Sequence, residues 1–285
     1  MIAVEFSKQI RRVRTWVVAA VCIVIPFLIG LGFELNHNSN QGGGPDAGGG
    51  LNFATHQSGI VVGIFALLFS SVLLIPIVFA IFTGEPIASE ARWGSLRYLL
   101  IRPVTRPRVL GTKLGVSIVL AVGVALLIPI TGTIVGIAFF GLHPIETLAI
   151  SGGASSSGGF SAPTLATFSI GEALLRLLLA TAYTLFEMLS VVGVATLVGV
   201  ATENVLAAMA SGIGLYIVSA ILDALSGLAR IHPLLPVHYL QDWTNLFIPG
   251  SSLQGMVHGV IAAAIWGVVP LLLAFRIFQR KDILC

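Results

Sequence analysis

Long apolar stretches separated by short polar connections dominate this chain. A helix needs about 20 apolar residues to cross roughly 30 Å of hydrocarbon, and six stretches reach that length. The pattern therefore predicts an all-α, polytopic membrane protein in which residues 1–285 form a single transmembrane domain. The predicted membrane spans lie at residues 16–35, 58–82, 109–140, 171–200, 204–228 and 257–278.

Composition supports a membrane protein and argues against a soluble one. Hydrophobic residues make up 56% of the chain and charged residues only 9%, whereas soluble domains carry about 25% charged residues. The net charge of +3 does not indicate nucleic acid binding, because the basic residues alternate with apolar spans and form no separate basic face.

The lysines and arginines indicate the orientation of the spans. Of the 15 basic residues, only Arg176 and Arg230 fall outside the segments 8–14, 92–113 and 276–281. Because basic residues near helix ends remain in the cytoplasm, both termini are predicted to be cytoplasmic in a multi-pass protein of the cell membrane. The first apolar run is longer than the core of a secretory signal, so we expect an uncleaved span.

Residues 1–15 are predicted to form an amphipathic elbow helix at the membrane surface, bracing the first span. One helical face is apolar and the opposite faces carry charges. An ordinary basic flank remains the alternative. The apolar positions are Ile2, Phe6, Ile10 and Val13, and the charged ones are Glu5, Lys8 and Arg12.

The cytoplasmic connection at residues 83–108 is predicted to contain two short helices. Pro86 suits a first helical turn and Gly94 a helix end. Ser95 can cap a second helix that Pro103 ends. The apolar face of this second helix consists of Leu96, Leu99 and Leu100.

The order of residues in this connection resembles a motif of the permease subunits of type-2 ABC exporters, located between their second and third spans. Ser95 stands where Thr is more usual and keeps the hydroxyl cap. The resemblance extends to the six-span layout, the elbow helix and the stretch at residues 236–243. The matching residues are Glu90, Gly94, Leu96, Leu99, Leu100, Pro103, Arg106 and Lys113.

The resemblance implies that residues 83–108 are a coupling segment, which sits in a groove of an ATPase subunit and transmits nucleotide-driven closure. Within it, we expect Glu90 to pair with a nearby arginine and hold the two short helices together. A plain basic loop at the lipid headgroups remains the alternative. The residues expected to couple to the ATPase are Glu90, Gly94, Ser95, Leu96, Leu99, Leu100, Pro103 and Arg106.

The same resemblance implies partners. The chain contains no phosphate-binding loop, and Gly111 to Lys113 lack its spacing, so ATP and Mg²⁺ are expected only in two copies of a separate ABC ATPase. A second permease subunit, identical or paralogous, would complete the pathway, and residues 229–256 would form an outer re-entrant segment covering the exit. Small-residue pairs could support that dimer. They are Gly111/Gly115, Gly132/Gly136 and Gly255/Gly259.

Glu187 is the most unusual polar residue inside a predicted span. A carboxylate at that depth costs roughly 2.5 to 3.5 kcal/mol on insertion scales, so it should face protein or water rather than lipid. With the neighbouring Tyr183, it is a candidate for the substrate path, and a structural helix contact is the alternative. Glu172 and Arg176, one helical turn apart, predict an ion pair.

The predicted outer side carries all the histidines but no recognisable metal motif. None has ligand spacing with cysteine or carboxylate residues, so no metal ion is assigned, although imidazole is a common ligand. Asp223 is expected to be a solvated residue at a span boundary, and Tyr239 and Trp243 interfacial aromatics. The histidines are His37, His56, His143, His232, His238 and His258.

These features together predict the permease subunit of an ATP-driven exporter for a hydrophobic or amphipathic compound such as a drug, lipid or peptide. An ion-driven secondary transporter or channel is an alternative, although it should carry more intramembrane carboxylates or half-repeats. A membrane anchor that recruits an ATPase without transport is another. An intramembrane enzyme is not expected, because no catalytic constellation lies at membrane depth.

Overall fold

A computed structural model describes residues 2–39, 58–92, 106–144, 168–225, 227, 230–248 and 251–280, and every regular element in them is helical. Two 3₁₀ turns, His232–Leu234 and Asp242–Phe247, lie between the last two α-helices. The α-helices are α1 (Ile2–Ile10), α2 (Val13–Ser39), α3 (Ile60–Val72), α4 (Leu74–Arg92), α5 (Arg106–Phe140), α6 (Ile170–Glu187), α7 (Leu189–Thr202), α8 (Val205–Asp223) and α9 (Gln254–Arg280).

Within the described residues, five helical stretches are long and apolar enough to cross a membrane, and α3 with α4 gives a sixth if the bent pair is one span. Helices α6 and α7 count together as one stretch, interrupted only at Met188. The all-helical, multi-pass architecture expected from the hydropathy pattern is therefore confirmed.

Helices α3 and α4, at the position of the predicted second span, meet at a bend of 55°. Leu73 at the break has φ −134° and ψ −48°, outside helical geometry. Pro76 follows in the first turn of α4 and has no amide hydrogen to donate to the carbonyl of Val72, so the helical ladder is interrupted at this point.

The expectation that Pro86 opens a separate short helix is wrong. Pro86 lies inside α4, which continues to Arg92, so residues 83–92 extend the second span beyond its predicted end. A proline interrupts one backbone hydrogen bond without ending a helix when the neighbouring turns are held by packing. The second short helix predicted between Ser95 and Pro103 lies outside the described residues.

The observed helices also differ by a few residues from the other predicted spans. Helix α8 begins after Asn204, whose side-chain oxygen accepts a hydrogen bond of 3.0 Å from the amide of Leu206. It ends at Asp223 rather than at residue 228. Helix α5 begins three residues earlier than predicted, at Arg106.

Glycines allow the closest helix contacts inside the chain. A Cβ added at Gly132 of α5 would lie 2.8 Å from the Cβ of Ala66 in α3, and one at Gly193 of α7 would lie 2.9 Å from the Cα of Gly267 in α9. Gly136 likewise packs against Gly59, which precedes α3. Such small residues let helices pack closely in a membrane.

These contacts correct part of the expectation for the dimer interface. Gly132 and Gly136 pack on α3 of the same chain, while Gly255 packs against Asp242 and Gly259 against Tyr183. The space that a dimer contact would use at these four glycines is thus already filled within the subunit. Gly115 remains open, because nothing lies within 4 Å of a Cβ placed there.

The bundle has two distinct ends. At one end Gly84 of α4 contacts Ala208 of α8, and the elbow helix α1 lies against the start of α5. We call this the basic end, because it also carries Arg108 and Arg280. The opposite end carries residues 230–248, which we call the cap segment, between α8 and α9.

Candidate functional site

At the basic end, Glu85 ties the end of α4 to the start of α2. Its two carboxylate oxygens pair with Arg12 and Arg14. The guanidinium of Arg14 also lies 5.7 Å from the ring centre of Phe82, one turn earlier in α4. The Glu85 side chain is only 16% exposed, so this charge cluster is held between the helices rather than in open solvent.

The elbow helix is fixed to α5 by polar contacts. Lys113 donates a hydrogen bond of 2.7 Å to Glu5, and Gln9 donates one of 3.1 Å to Ser117. Gln9 and Lys113 are both buried. Val4, by contrast, is 71% exposed, so α1 turns apolar positions outward while its polar positions hold it to the bundle.

Consequently α1 braces α5 more than it braces the first span. Helix α4 precedes the predicted coupling segment and α5 follows it. Both helices therefore form ion pairs with the N-terminal region on either side of that segment. A displacement of the end of α4 would strain the ion pair between Glu85 and Arg14, and a displacement of the start of α5 would strain the one between Lys113 and Glu5.

Most of the residues predicted to couple to an ATPase lie outside the described part of the chain. Glu90 lies in the last turns of α4 and Arg106 is the first residue of α5, but their side chains are not described. Near this connection, Glu85 is a described carboxylate that pairs with arginines, whereas the pairing expected of Glu90 stays a prediction. The residues outside are Gly94, Ser95, Leu96, Leu99, Leu100 and Pro103.

Tyr183 and Glu187, the two predicted pathway residues, meet in the interior of the bundle. Glu187 is 1% exposed, and neither of its carboxyl oxygens has a hydrogen-bond partner among the described residues. A Cβ placed on Gly259 of α9 would lie 2.7 Å from one of those oxygens, so only glycine leaves room for the carboxyl there. The expectation that Glu187 faces protein rather than lipid is confirmed.

Tyr216 of α8 adds a second unpartnered polar group to this interior. Its hydroxyl is buried and has no hydrogen-bond partner among the described residues. Buried polar groups are nearly always hydrogen-bonded, so each of these two groups marks a place where a proton, water or ligand can interact.

The cap segment is held by three side chains from two helices. Tyr183 of α6 donates a hydrogen bond of 2.8 Å to the carbonyl of Tyr239, and Trp266 of α9 donates one of 2.7 Å to the carbonyl of Leu234. Arg176 of α6 donates to the carbonyl of Leu246. Each bond satisfies a backbone acceptor of a segment that has little regular structure of its own.

The predicted ion pair in α6 is confirmed and has a further role. Arg176 lies 2.6 Å from the carboxylate of Glu172, and its guanidinium stands 4.2 Å from the ring centre of Phe168. These contacts orient the arginine toward the cap segment. The pairing could be predicted because the helix places residues i and i+4 together.

Trp243 in the cap segment differs from its expected role, and Asp242 lies beside it. Trp243 is fully buried, with its ring 6.2 Å from that of Phe247, so it is a core residue and not an interfacial aromatic. Asp242 packs on Gly255. Partial burial raises the pKa of the Asp242 carboxyl, an effect that nearby His238 opposes.

The cap segment also brings together three residues that are distant in sequence. Asp223 at the end of α8 lies 2.6 Å from His238 and 3.8 Å from His232. Asp223 was expected to be solvated, and no metal had been assigned to the histidines. Their spacing along the chain gave no signal, because the contact depends on how the cap segment folds back over α8.

The family described as Protein of unknown function (DUF2705) matches residues 23–284, which extend from α2 past the end of α9. The chain belongs to this family. The DUF2705 match therefore covers the central Tyr183 and Glu187 pair and the whole cap segment. A comparison with curated proteins found no match.

Proposed function

We propose that this DUF2705 chain is the transmembrane permease subunit of an ATP-driven exporter, with its basic end in the cytoplasm. The positive-inside rule supports that orientation, because nearly all lysines and arginines belong to the basic end and the segments joined to it. Both termini are then cytoplasmic, and the cap segment lies on the outer side of the cell membrane.

One observation carries the proposal. The residues that resemble a type-2 ABC coupling motif, from Glu90 to Arg106, join the end of α4 to the start of α5 at the basic end. In the proposed orientation this segment would lie on the cytoplasmic side, where an ATPase could bind it, and the chain connects it directly to two long helices of the bundle.

The elbow helix supports a mechanical role for that end. Glu85 connects α4 to the N-terminal region, and Lys113 connects α5 to it, so α4 and α5 are linked through a common element. Closure of two ATPase copies on bound ATP and Mg²⁺ would move both helices together, rather than the connecting segment alone.

The proposed complex contains two ABC ATPase copies and a second permease, identical or paralogous, surrounded by membrane lipid. The substrate path would include Tyr183 and Glu187, beneath a cap segment that covers the exit. A hydrophobic or amphipathic cargo suits a lining with few charges. The exported compound would leave past the cap, which is attached to α6 by hydrogen bonds from Tyr183 and Arg176 and to α9 by one from Trp266.

Co-purification and ATPase measurements test the proposal directly. The chain is co-expressed with an ABC ATPase from its own gene neighbourhood, and Leu99→Asp with Leu100→Asp is compared with Leu99→Met and Leu100→Met. Charged side chains should abolish association and substrate-stimulated hydrolysis, because the groove must accept an apolar face. Methionine, of similar volume and polarity, should preserve both.

The proposal fails if the aspartate variants bind the ATPase as the wild type does, or if no ATPase binds the wild type. Labelling of a cysteine placed at position 98 adds a separate check, because the segment must react from the cytoplasm. Reaction with a reagent added from the exterior would show that the basic end faces outward, opposite to the proposed orientation.

The unpartnered carboxyl of Glu187 favours a second candidate, a transporter driven by an ion gradient. A buried carboxyl that exchanges a proton is a common element of such transporters. In that case Glu187→Gln should abolish the pH dependence of transport in vesicles without ATP. For an ATP-driven exporter, transport should instead require ATP in both the wild type and Glu187→Gln.

A further inference from the structure

The contact between the end of α8 and the cap segment contains two imidazoles and one carboxylate. Asp223 Oδ1 lies 2.6 Å from His238 Nδ1 and 3.8 Å from His232 Nδ1. One ligand atom from each of the three residues falls within 4.8 Å of the other two. No single element supplies this set, since α8 provides the carboxylate and two parts of the cap segment provide the rings.

These separations approach those of a tetrahedral zinc site. Ligand atoms about 2.0 to 2.2 Å from Zn²⁺ stand about 3.3 Å apart in tetrahedral geometry. The two distances from Asp223 lie on either side of that value, so small side-chain rotations would equalise them.

The surroundings of His232 favour metal ligation by its Nδ1 atom. Its Nε2 atom lies 3.2 Å from the carbonyl of Leu225, the geometry of an N–H donor to a backbone acceptor. A hydrogen bond of this kind fixes the tautomer and leaves the lone pair on Nδ1, as the outer shell of histidine metal sites commonly does. The hydrogen bond to Leu225 thus orients His232 toward Asp223 without depending on Asp223 itself.

Partial exposure leaves room for a fourth ligand. The side chains of Asp223 and His238 are 28% and 36% exposed, whereas that of His232 is 17% exposed. Three protein ligands with an open position for water form a common arrangement for zinc, and two imidazoles with a carboxylate match its preferences.

We propose that Asp223, His232 and His238 bind a divalent transition-metal ion, Zn²⁺ in the first instance, and that the ion fastens the cap segment to α8. The ion would replace the direct hydrogen bond between Asp223 and His238 by two bonds to a common centre. This site is independent of the exporter proposal, because it requires neither an ATPase nor a particular orientation in the membrane.

The site would also influence the interior of the bundle. Tyr239 directly follows His238, and its carbonyl accepts the hydrogen bond from Tyr183, which stands one turn from Glu187. Fixing His238 therefore fixes the backbone that holds Tyr183. Metal occupancy would stabilise the cap in the position described here.

Titration of the full-length protein in detergent tests the site. The protein carries a purification tag without histidine and is stripped of metal with a chelator. Zn²⁺ binding is measured by calorimetry, and Co²⁺ serves as the spectroscopic probe. We expect one saturable Zn²⁺ per chain, Co²⁺ d–d bands typical of low coordination number, and a higher melting temperature with Zn²⁺.

Three substitutions and one matched control identify the ligands. His232→Ala, His238→Ala and Asp223→Asn should each weaken Zn²⁺ binding by at least about tenfold. His143→Ala removes an exposed imidazole at the same end and should change nothing. Asp223→Asn keeps the size of the side chain and an acceptor for His238, so it covers the case in which an alanine variant fails to fold.

Absence of saturable Zn²⁺ binding to the wild type would overturn the proposal and leave a hydrogen-bonded cluster of three side chains. Binding that survives all three substitutions would do the same, because the ion would then lie elsewhere. An equal loss of affinity in His143→Ala would indicate non-specific capture by surface histidines, which also contradicts the site.

Discussion

The hydroxyl of Tyr183 donates a hydrogen bond of 2.8 Å to the carbonyl of Tyr239, joining the fourth span to the cap segment. The bond links a side chain in the bundle interior to a backbone acceptor at its end. Because Glu187 stands one turn further along α6, the cap and the buried carboxyl share this tyrosine as a neighbour.

Tyr183→Phe should lower the free energy of unfolding by about 1 kcal/mol, because it leaves the Tyr239 carbonyl without its donor. Thermal unfolding in detergent measures the change. Tyr216→Phe is the matched control, since the Tyr216 hydroxyl has no partner among the described residues and its removal should be neutral or stabilising. Equal destabilisation by both variants would show that the Tyr239 bond contributes nothing.

Gly259→Ala should destabilise the protein by about 1 to 3 kcal/mol. The new methyl group would lie 2.7 Å from both Glu187 Oε1 and Tyr239 Cβ, so α9 must move away from α6 and the cap. Gly214→Ala in α8 is the control, because nothing lies within 4 Å of its Cβ position. Alanine there should stabilise the helix by about 0.5 to 1 kcal/mol, and a destabilised Gly214→Ala would contradict the packing argument.

Glu85→Gln should destabilise the basic end by about 1.5 to 3 kcal/mol, because it leaves the partly buried Arg12 and Arg14 without a carboxylate. The measurement is thermal unfolding, together with proteolysis of the N-terminal region. Glu172→Gln removes a comparable but more exposed ion pair within one helix and should cost no more than about 0.5 kcal/mol. If the two substitutions cost the same, Glu85 does not tie α4 to the N-terminal region.

Asp242 should make stability depend on pH. Its pKa is raised above the ordinary value of 3.8 by burial, so the folded state holds the proton more tightly than the unfolded chain. The resulting stabilisation is complete below pH 3.8 and is lost as pH rises through the raised pKa. Asp242→Asn should therefore raise the melting temperature at neutral pH more than at low pH.

Melting curves of the wild type and Asp242→Asn from acid to neutral pH, with a chelator present, test whether the difference in melting temperature grows as pH rises. The chelator separates the effect from any metal at neighbouring His238. A difference between the two proteins that is largest in acid would mean that Asp242 is stabilised in its charged form.

Local patterns in the sequence were sufficient for part of this structure. The all-helical fold with several membrane-length helices follows from hydropathy, and the Glu172 to Arg176 pair follows from helix geometry. Burial of Glu187 follows from the cost of placing a carboxylate against lipid. Each of these inferences uses residues within one helix and the nature of the solvent around it.

Contacts between distant parts of the chain could not be predicted in this way. Trp243 is of a residue type typical of membrane interfaces, but it is buried because the cap segment folds back on the bundle. Asp223 meets His232 and His238 for the same reason. The role of Glu85 depends on the position of α2 beside α4, which no local pattern encodes.

The bend at Leu73 also gives α3 and α4 different neighbours. Helix α3, before the bend, packs chiefly on α5, whereas α4, after it, packs on α7 and α8 as well as on α5. The non-helical backbone of Leu73 is therefore the point at which this stretch of chain turns toward α7 and α8. A regular helix through Leu73 would carry residues 74–92 away from those two neighbours.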